Sequence, residues 1–195
     1  QGGFCPLTQS GPFVQDGADL VITPHAGQWL LHSASPVGEQ LLMKLAGQLT
    51  PPTPLPATEL QTLRATLAQD CIQAFGDLTE LAQGLQRIQQ GQVNAAEWEQ
   101  LALQCLSCSG CVNLCPTCSC FTSHDRPTAD GFQRERIWDS CLYDGFQREA
   151  SGHHPSPTPG ARTARYWFHK FSPAFMAQQG RLGCTGCGRC DRVCQ

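Results

Sequence analysis

The sequence has no apolar run that approaches the ~20 residues needed to span a bilayer, so we expect no association with a membrane. It also shows no leader, because it opens with Gln1 rather than Met and has no basic stretch followed by an apolar one. Since it closes at Gln195, directly after a cysteine, both ends look cut, and we expect a segment of a longer subunit. Charged residues are scarce, at 15%, but 41% of the residues are hydrophobic, which argues against a disordered chain.

Signatures of nucleotide binding and of nucleophilic catalysis are missing as well. The chain contains no G-x-G-x-x-G after a strand and no G-x4-G-K-[ST]. No grouping of Ser, His and Asp, or of Cys and His, is persuasive. His153, His154 and His169 are the best candidates outside the cysteines, and we interpret them as loop and packing histidines. The net charge of -3 gives no support for binding to nucleic acid.

Cysteine is what the sequence has in excess: thirteen residues, an odd number that does not fit a simple disulfide framework. Eight of them form two runs with the same C-x2-C-x2-C-x3-C spacing, which is typical of ferredoxin-type 4Fe-4S ligation. The first run is Cys105, Cys108, Cys111 and Cys115, and the second is Cys184, Cys187, Cys190 and Cys194. Thiols that bind metal indicate a reducing compartment, so we expect a cytoplasmic protein.

The spacing also predicts how the thiolates reach the iron. Cysteines three residues apart let a tight loop wrap one cube and aim three sulfurs at its corners, while small residues between them admit backbone N–H groups. The fourth cysteine points away from that cube and, in two-cluster proteins, ligates the other one. We therefore predict two 4Fe-4S clusters that exchange their fourth ligands. One is held by Cys105, Cys108, Cys111 and Cys194, and the other by Cys184, Cys187, Cys190 and Cys115.

Structural zinc is the main alternative, and it would make the chain a zinc-stabilised interaction module. Zinc sites use four ligands, usually from two C-x2-4-C pairs, so two identical four-cysteine runs fit them poorly. Among the other cysteines, Cys118 and Cys120 either ligate a further cluster or are buried thiols that shield the first, and we favour the second interpretation. Cys71 is interpreted as a small buried hydrophobe, and Cys5 as a candidate ligand near the cut end. Cys141 has no assigned role.

Basic residues concentrate in the second half of the chain, where ten of the thirteen Lys and Arg residues follow residue 125. This half either faces an acidic partner or cofactor, or offsets the negative charge of the clusters. We expect four of its arginines to balance cluster charge or to bond backbone carbonyls. They are Arg162, Arg165, Arg189 and Arg192.

Secondary structure is predicted mainly ahead of the first cysteine run, and it is mostly helical. Residues 19–23 and 28–33 are predicted to be strands joined by a turn, and Ser35 is predicted to start a helix with Pro36 at its first position. After a proline-rich linker at 51–56, the sequence predicts three helices with apolar stripes. Their predicted capping pairs are Thr58 and Gln61, Asp77 and Glu80, and Asn94 and Glu97.

Several short motifs resemble those of a known family. They are Gly3-Phe4-Cys5, Asp16 to Thr23, Cys115-Pro116-Thr117-Cys118 with Cys120-Phe121, Arg136 with Trp138-Asp139-Ser140-Cys141, Gly152-His153, His169-Lys170-Phe171, and Gly183-Cys184 with Gly186-Cys187-Gly188-Arg189-Cys190. They resemble the beta subunit of soluble nickel–iron hydrogenases (sulfhydrogenases) and the electron-transfer subunit of anaerobic sulfite reductase. The resemblance spans most of residues 3–194 and is most specific at 105–121 and 183–194. It departs from the family at Gln195, where a proline is usual, and the family's N-terminal portion has no counterpart.

The resemblance implies an alpha-helical ferredoxin-like domain that binds two clusters. We accordingly expect a mainly α fold, with a small α/β segment at 1–50 and the two-cluster domain at 51–195, interrupted by a long insert at 121–183. It further implies an iron–sulfur subunit, not itself catalytic, that relays electrons between a flavin subunit handling NAD(P)H and a catalytic subunit. The first hypothesis is a nickel–iron hydrogenase, whose catalytic subunit oxidises hydrogen or reduces protons. The second is a sulfite reductase.

Overall fold

The computed structural model describes residues 3–11, 17–49 and 56–194. The chain divides into two compact units, Gln1–Asp77 and Leu78–Gln195. The linker predicted at 51–56 lies almost wholly outside the described residues, and the domain boundary predicted at residue 51 stays a prediction.

The first unit contains a hairpin followed by a helix, as the sequence predicts. Strand β1 (Leu20–His25) pairs antiparallel with strand β2 (Gln28–Ser33). The two residues between them, Ala26 and Gly27, have φ of 47° and 76°, the left-handed pair that a two-residue hairpin turn requires. Helix α1 (Pro36–Leu45) begins at Ser35, whose hydroxyl accepts from the Gly38 N–H at 3.2 Å. A 3-10 turn (Ala46–Gln48) follows α1.

Helix α2 (Ala57–Phe75) completes the first unit, but its predicted cap is wrong. The residue at the N-cap is Pro56, which offers no side-chain hydrogen bond, and Thr58 lies inside the first turn. Near the other end, Cys71 is half-buried rather than buried, and its Sγ lies 3.6 Å from Cys5 Sγ and donates to the Gly3 carbonyl at 3.0 Å. Burial, followed by the hydrogen bond and charge of Cys71, raises the pKa of Cys5 to about 12.

The second unit is built around one helix. Its first helices are α3 (Thr79–Gln89), α4 (Ala95–Ala102) and α5 (Gly110–Asn113). An antiparallel hairpin of β3 (Phe121–Thr128) and β4 (Gly131–Trp138) comes next. The chain continues with α6 (Pro159–Phe171), α7 (Pro173–Gln179) and α8 (Arg189–Val193). Helix α6 packs against α3, α4 and α7, and the short helices α5 and α8 pack against each other.

The caps of this unit differ in how well the sequence predicted them. The capping box at the start of α4 is confirmed, because the Asn94 side chain accepts from the Glu97 N–H at 3.0 Å and Glu97 accepts from the Asn94 N–H at 2.9 Å. The cap predicted at Asp77 is wrong, since α3 begins after Leu78 without a side-chain cap. Helix α6 begins at Thr158, whose hydroxyl accepts from the Ala161 N–H at 3.1 Å.

One cysteine of the first motif and three cysteines outside the motifs lie in or against the core of the second unit. This core consists of Val112, Cys141, Leu142, Phe146 and Tyr166, with Cys111, Cys118, Cys120 and Trp167 packed against it. The mainly α prediction fits only loosely, because helices predominate but each unit also carries a two-stranded sheet. The β3–β4 hairpin, which lies in the predicted insert, was not predicted. No helix in the described ranges is both long and apolar enough to cross a membrane.

Candidate iron–sulfur centre

The two cysteine motifs adopt the same unusual backbone conformation. In each, the second and the fourth residue after the first cysteine are left-handed: Ser107 and Ser109 with φ of 52° and 62°, and Gly186 and Gly188 with φ of 63° and 71°. In each, a short helix, α5 or α8, starts directly afterwards. Left-handed residues turn successive N–H groups towards one side of the chain, which makes a concave anion-binding surface. The equal spacing of the motifs therefore produces equal geometry.

Backbone N–H groups already point at the thiols in both motifs. The Ser107 N–H donates to Cys105 Sγ at 3.4 Å, and the Gly186 N–H donates to Cys184 Sγ at 3.3 Å. Hydrogen bonds of this kind stabilise thiolate ligands and tune an iron–sulfur cluster. The residues in these loops therefore fit the cluster that the spacing predicts.

The end of the second motif lies beside the first motif. Helices α5 and α8 are in contact. At Gly110, the first residue of α5, an added Cβ would lie 3.0 Å from Val193 Cγ2 and 3.8 Å from Cys108 Sγ. Val193 immediately precedes Cys194 in the sequence. A larger residue at Gly110 would push these helices apart, so glycine keeps the fourth cysteine of one motif near the first three of the other.

The electrostatics of the thiols give the same neighbours. Burial, followed by the charges of Cys105, Cys194, Cys190 and Cys108, raises the pKa of Cys111 to about 11. Several anionic sulfurs in one place are unfavourable unless a cation lies between them, as iron would. The Cys111 thiol thus lies among cysteines of both motifs.

Cys184, at the start of the second motif, has a similar environment. Its pKa is raised to about 11, mainly by burial. The Gly186 N–H and the charge of Lys170 lower this pKa, and the charges of Cys190 and Cys115 raise it. Cys115, the last cysteine of the first motif, therefore lies near the first cysteines of the second. Among the described residues no three His, Cys, Asp or Glu side chains converge at the spacing of a single metal ion.

A buried lysine, Lys170 on α6, contacts the tail of the first motif. The residue is only 4% exposed. Its Nζ donates to Cys115 Sγ at 3.1 Å, Cys118 Sγ at 3.2 Å and Thr117 Oγ1 at 3.0 Å. Burial alone would lower the pKa of Lys170, but the hydrogen bonds and charges of Cys115 and Cys118 outweigh it, so the pKa is raised. The ammonium is thus a fixed positive charge beside a motif cysteine.

Gly183 connects this tail to the start of the second motif. Its carbonyl accepts from Thr117 Oγ1 at 2.6 Å and from Lys170 Nζ at 3.4 Å. A Cβ at Gly183 would collide with the His169 carbonyl oxygen and lie 3.0 Å from the Phe175 ring, so only glycine fits. The residue immediately before Cys184 is thereby fixed to the residues around Cys115.

Three further cysteines, Cys118, Cys120 and Cys141, lie beside Lys170. They line a cavity of about 480 Å³ together with Lys170, Tyr166 and other side chains. A hydrogen bond from the Cys141 thiol lowers the pKa of Cys120 to about 6, and the pKa of the buried Cys141 is raised correspondingly. Cys141 is 2% exposed and Cys118 and Cys120 are half-buried. The role predicted for Cys118 and Cys120, as thiols that shield a cluster, stays a prediction, but both are half-buried rather than buried.

The first motif is also fixed to the loop that carries Cys141. Ser109 and Ser140 are both fully buried, and the Ser109 hydroxyl donates to Ser140 Oγ at 2.5 Å. Ser140 Oγ also accepts from the Leu142 N–H at 3.2 Å. The residue that takes the left-handed conformation before α5 is therefore held by two hydroxyls in the core.

The contacts of His169, His153 and Arg162 fit the sequence interpretation of these residues, whereas Arg165 lies over the Phe146 ring, with its Cζ 5.8 Å from the ring centre. His169 packs between Phe168 and Phe175, with ring centroids 5.9 and 5.8 Å apart, and the His153 carbonyl closes a loop by accepting from the Glu149 N–H. Arg162 pairs with Asp144 at 3.0 Å and donates to the carbonyls of Ser156 and Pro157, so it caps carbonyls as expected.

Sequence reasoning missed the residues that support the cysteines, namely Lys170, Thr117, Gly183, Tyr166 and Ser140. Most of them belong to the short motifs that carry the family resemblance, but no spacing rule identified what they contact. One usable signal existed, because Tyr166 and Lys170 are four residues apart and so share a helix face if the aromatic run is helical.

Comparison with known proteins agrees with this geometry. Residues 104–195 match the family model described as a 4Fe-4S dicluster domain. The chain is similar to the protein named sulfhydrogenase 2 subunit beta of Pyrococcus furiosus, with 26% identity over 188 residues. That match covers 93% of this chain and 52% of the relative, so the chain spans about half the length of the curated relative it matches. No solved structure matches the chain.

Proposed function

We propose that this chain relays electrons within a soluble nickel–iron hydrogenase complex, because residues 104–195 match the family model of a 4Fe-4S dicluster domain, which implies two clusters. Electrons pass between a subunit that binds flavin and NAD(P)H and the catalytic subunit that handles hydrogen. The similarity to a sulfhydrogenase beta subunit supports this role, and the absence of a persuasive nucleophile or nucleotide motif agrees with a relay. The chain itself then transforms no substrate.

The proposal includes the crosswise assignment of ligands. Cys105, Cys108, Cys111 and Cys194 hold the cluster that we call the first cluster. Cys184, Cys187, Cys190 and Cys115 hold the second cluster. The assignment is supported by the contact of α5 with α8 and by the neighbours of the Cys111 and Cys184 thiols described above.

The observation that carries the proposal is the repeated backbone of the two motifs. A cluster of this type, when bound, takes up and releases one electron without a change in its ligands. The protein's part is to hold eight thiolates and to donate N–H groups to sulfur, and the N–H groups that donate to Cys105 and Cys184 support this role. Exchange of the fourth ligands places the two clusters side by side, which is the arrangement that rapid electron transfer between them requires.

The test is anaerobic purification followed by measurement of iron and acid-labile sulfide, with EPR spectra after reduction by dithionite. We expect about eight irons per chain and a reduced signal from two interacting clusters. About twelve irons would bring the cysteines at the cavity in as ligands of a third cluster. Stoichiometric zinc without sulfide would contradict the relay and leave a zinc-stabilised interaction module.

A pair of cysteine variants tests the ligand assignment. Cys115→Ser is expected to change the EPR signal of the second cluster while the first cluster remains. The control is Cys71→Ser, a half-buried cysteine outside both motifs, which should keep the full iron content. If Cys115→Ser affects only the first cluster, the ligands are not exchanged. The subunits that co-purify with the chain distinguish hydrogenase from sulfite reductase.

A further inference from the structure

The two proposed clusters have matched loops but unmatched surroundings. In both, a backbone N–H donates to the first cysteine. The difference lies in α6, which faces the ligands of the second cluster. On this helix Lys170 donates to Cys115 Sγ at 3.1 Å, and Tyr166 lies one turn before it. Lys170 is therefore a cation bonded to a ligand of the second set.

Lys170 has the properties of a permanent charge at that position. It is 4% exposed, and in the described part of the chain it forms no salt bridge with a carboxylate. Its polar contacts are two sulfurs, one hydroxyl and one carbonyl. Its Nζ also lies 5.7 Å from the centre of the Tyr166 ring. The negative charge that it compensates is therefore that of the thiolates.

A cation in this place must act on the redox equilibrium. Reduction adds one electron to the cluster, so the reduced form carries one more negative charge than the oxidised form in the same partly buried site. A fixed positive charge close to a ligand stabilises the more negative form more strongly, and the effect is large because the surroundings screen it poorly. The hydrogen bond to Cys115 Sγ acts in the same direction.

We propose that Lys170 sets the reduction potential of the second cluster above that of the first, so that an electron entering the pair comes to rest beside α6. This inference rests on the proposed ligand assignment. In the transfer step, the first cluster loses one electron and the second gains it; no bond forms or breaks and no proton moves. The chain then has a built-in polarity, with the second cluster as the acceptor of the pair.

The experiment is an EPR-monitored redox titration of the anaerobically purified chain and its Lys170→Met variant. Methionine removes the charge and the donor at similar volume. At a fixed potential, we expect the ratio of reduced to oxidised second cluster to fall at least tenfold, which corresponds to about 59 mV for a one-electron couple. The first cluster and the iron content should stay unchanged. Lys44→Met is the matched control, since Lys44 is the only other lysine and lies on α1 in the first unit.

A second variant separates charge from position. Lys170→Arg keeps the positive charge, so we expect its second cluster to stay within a factor of three of the wild-type ratio. Unchanged potentials in Lys170→Met with full iron content would overturn the inference, and so would an equal fall at both clusters. If Lys170→Met loses iron, Lys170→Gln is titrated instead and judged by the same criteria. Failure of the wild type to bind two clusters would contradict the proposed function instead.

Discussion

Ser107 and Ser109 take the left-handed conformation that glycines take at the equivalent positions of the second motif, Gly186 and Gly188. For a residue with a Cβ this conformation costs roughly 1 kcal/mol, because Cβ approaches the following carbonyl oxygen. The cost is offset differently at the two serines. Ser109 is buried and hydrogen-bonded to Ser140, whereas Ser107 contributes only its backbone N–H to Cys105.

We therefore expect Ser107→Gly to stabilise the chain by about 0.5–1 kcal/mol without changing its iron content, because glycine relieves the strain and keeps the N–H donor. Ser109→Gly should have the opposite effect and cost about 1 kcal/mol, since it removes the buried hydrogen bond to Ser140 Oγ, which keeps the Leu142 N–H as a donor. Thermal unfolding of both anaerobically purified variants checks the pair. A loss of stability in Ser107→Gly would show that its side chain makes an essential contact.

At this scale, the sequence offers candidate ligands but not the residues that support them. The spacing alone predicts the motif cysteines as ligands, because the loop that wraps a cube is local, and that assignment stays a prediction. Lys170 lies 55 residues from Cys115, and Ser140 lies 31 residues from Ser109. A contact across such a separation depends on the tertiary fold, so no local pattern reveals it. The prediction that Cys71 is buried was wrong, because the stripe of α2 to which it belongs, with Leu60, Leu63 and Leu67, is only half-buried.

Helices α4 and α6 show how one element begins against another. The Glu99 side chain on α4 accepts from the Gly160 N–H at 3.1 Å and from the Thr158 hydroxyl, so it caps the N-terminus of α6 from outside. A Cβ at Gly160 would collide with the Glu99 carboxylate, which explains the glycine in the first turn. The negative carboxylate also complements the positive end of the α6 dipole. Since α6 carries Tyr166 and Lys170, this cap fixes the helix that faces the second cluster.

We expect Glu99→Ala to destabilise the second unit by about 1–2 kcal/mol, because two donors at the start of α6 lose their acceptor. Gln100→Ala is the control, since it changes the neighbouring exposed residue of the same helix without touching α6. Chemical denaturation followed by far-UV circular dichroism measures both. Equal stabilities of the two variants would mean that water replaces the Glu99 carboxylate at no cost.

The elements of the first unit and α4 could be predicted because their signals are local: two short apolar runs joined by a turn at β1 and β2, a serine before a proline at α1, and a capping box at α4. The caps predicted for α2 and α3 were wrong, because the residue types of a capping pair often occur together by chance. The N-cap of α2 is Pro56, two residues before Thr58, and that of α3 is Leu78, one residue after Asp77. The β3–β4 hairpin was missed for another reason. Both of its strands are almost wholly exposed, so it lacks the alternation of apolar and polar residues that marks a half-buried strand.

All eight motif cysteines and their supporting residues fall within one of the two compact units, residues 78–195. Within that unit α4 contacts α6, α6 contacts α7 and α5 contacts α8, and Cys111, Cys118 and Cys120 pack against its core. The match to the dicluster family begins at residue 104, also inside this unit. The clusters thus depend on contacts that residues 78–195 supply.

We expect a fragment of residues 78–195, expressed and purified anaerobically, to bind about eight irons and to give the same reduced EPR spectrum as the full chain, because two cubane clusters need no ligand from elsewhere. Binding of the clusters should also raise its midpoint of thermal unfolding, since they join segments far apart in the sequence. The same fragment with Cys115→Ser and Cys194→Ser is the control, and it should lose iron. If the fragment folds but binds iron poorly while the full chain binds it fully, residues 1–77 supply part of the cluster site. In that case Cys5 and Cys71 would become the candidate ligands from the first unit.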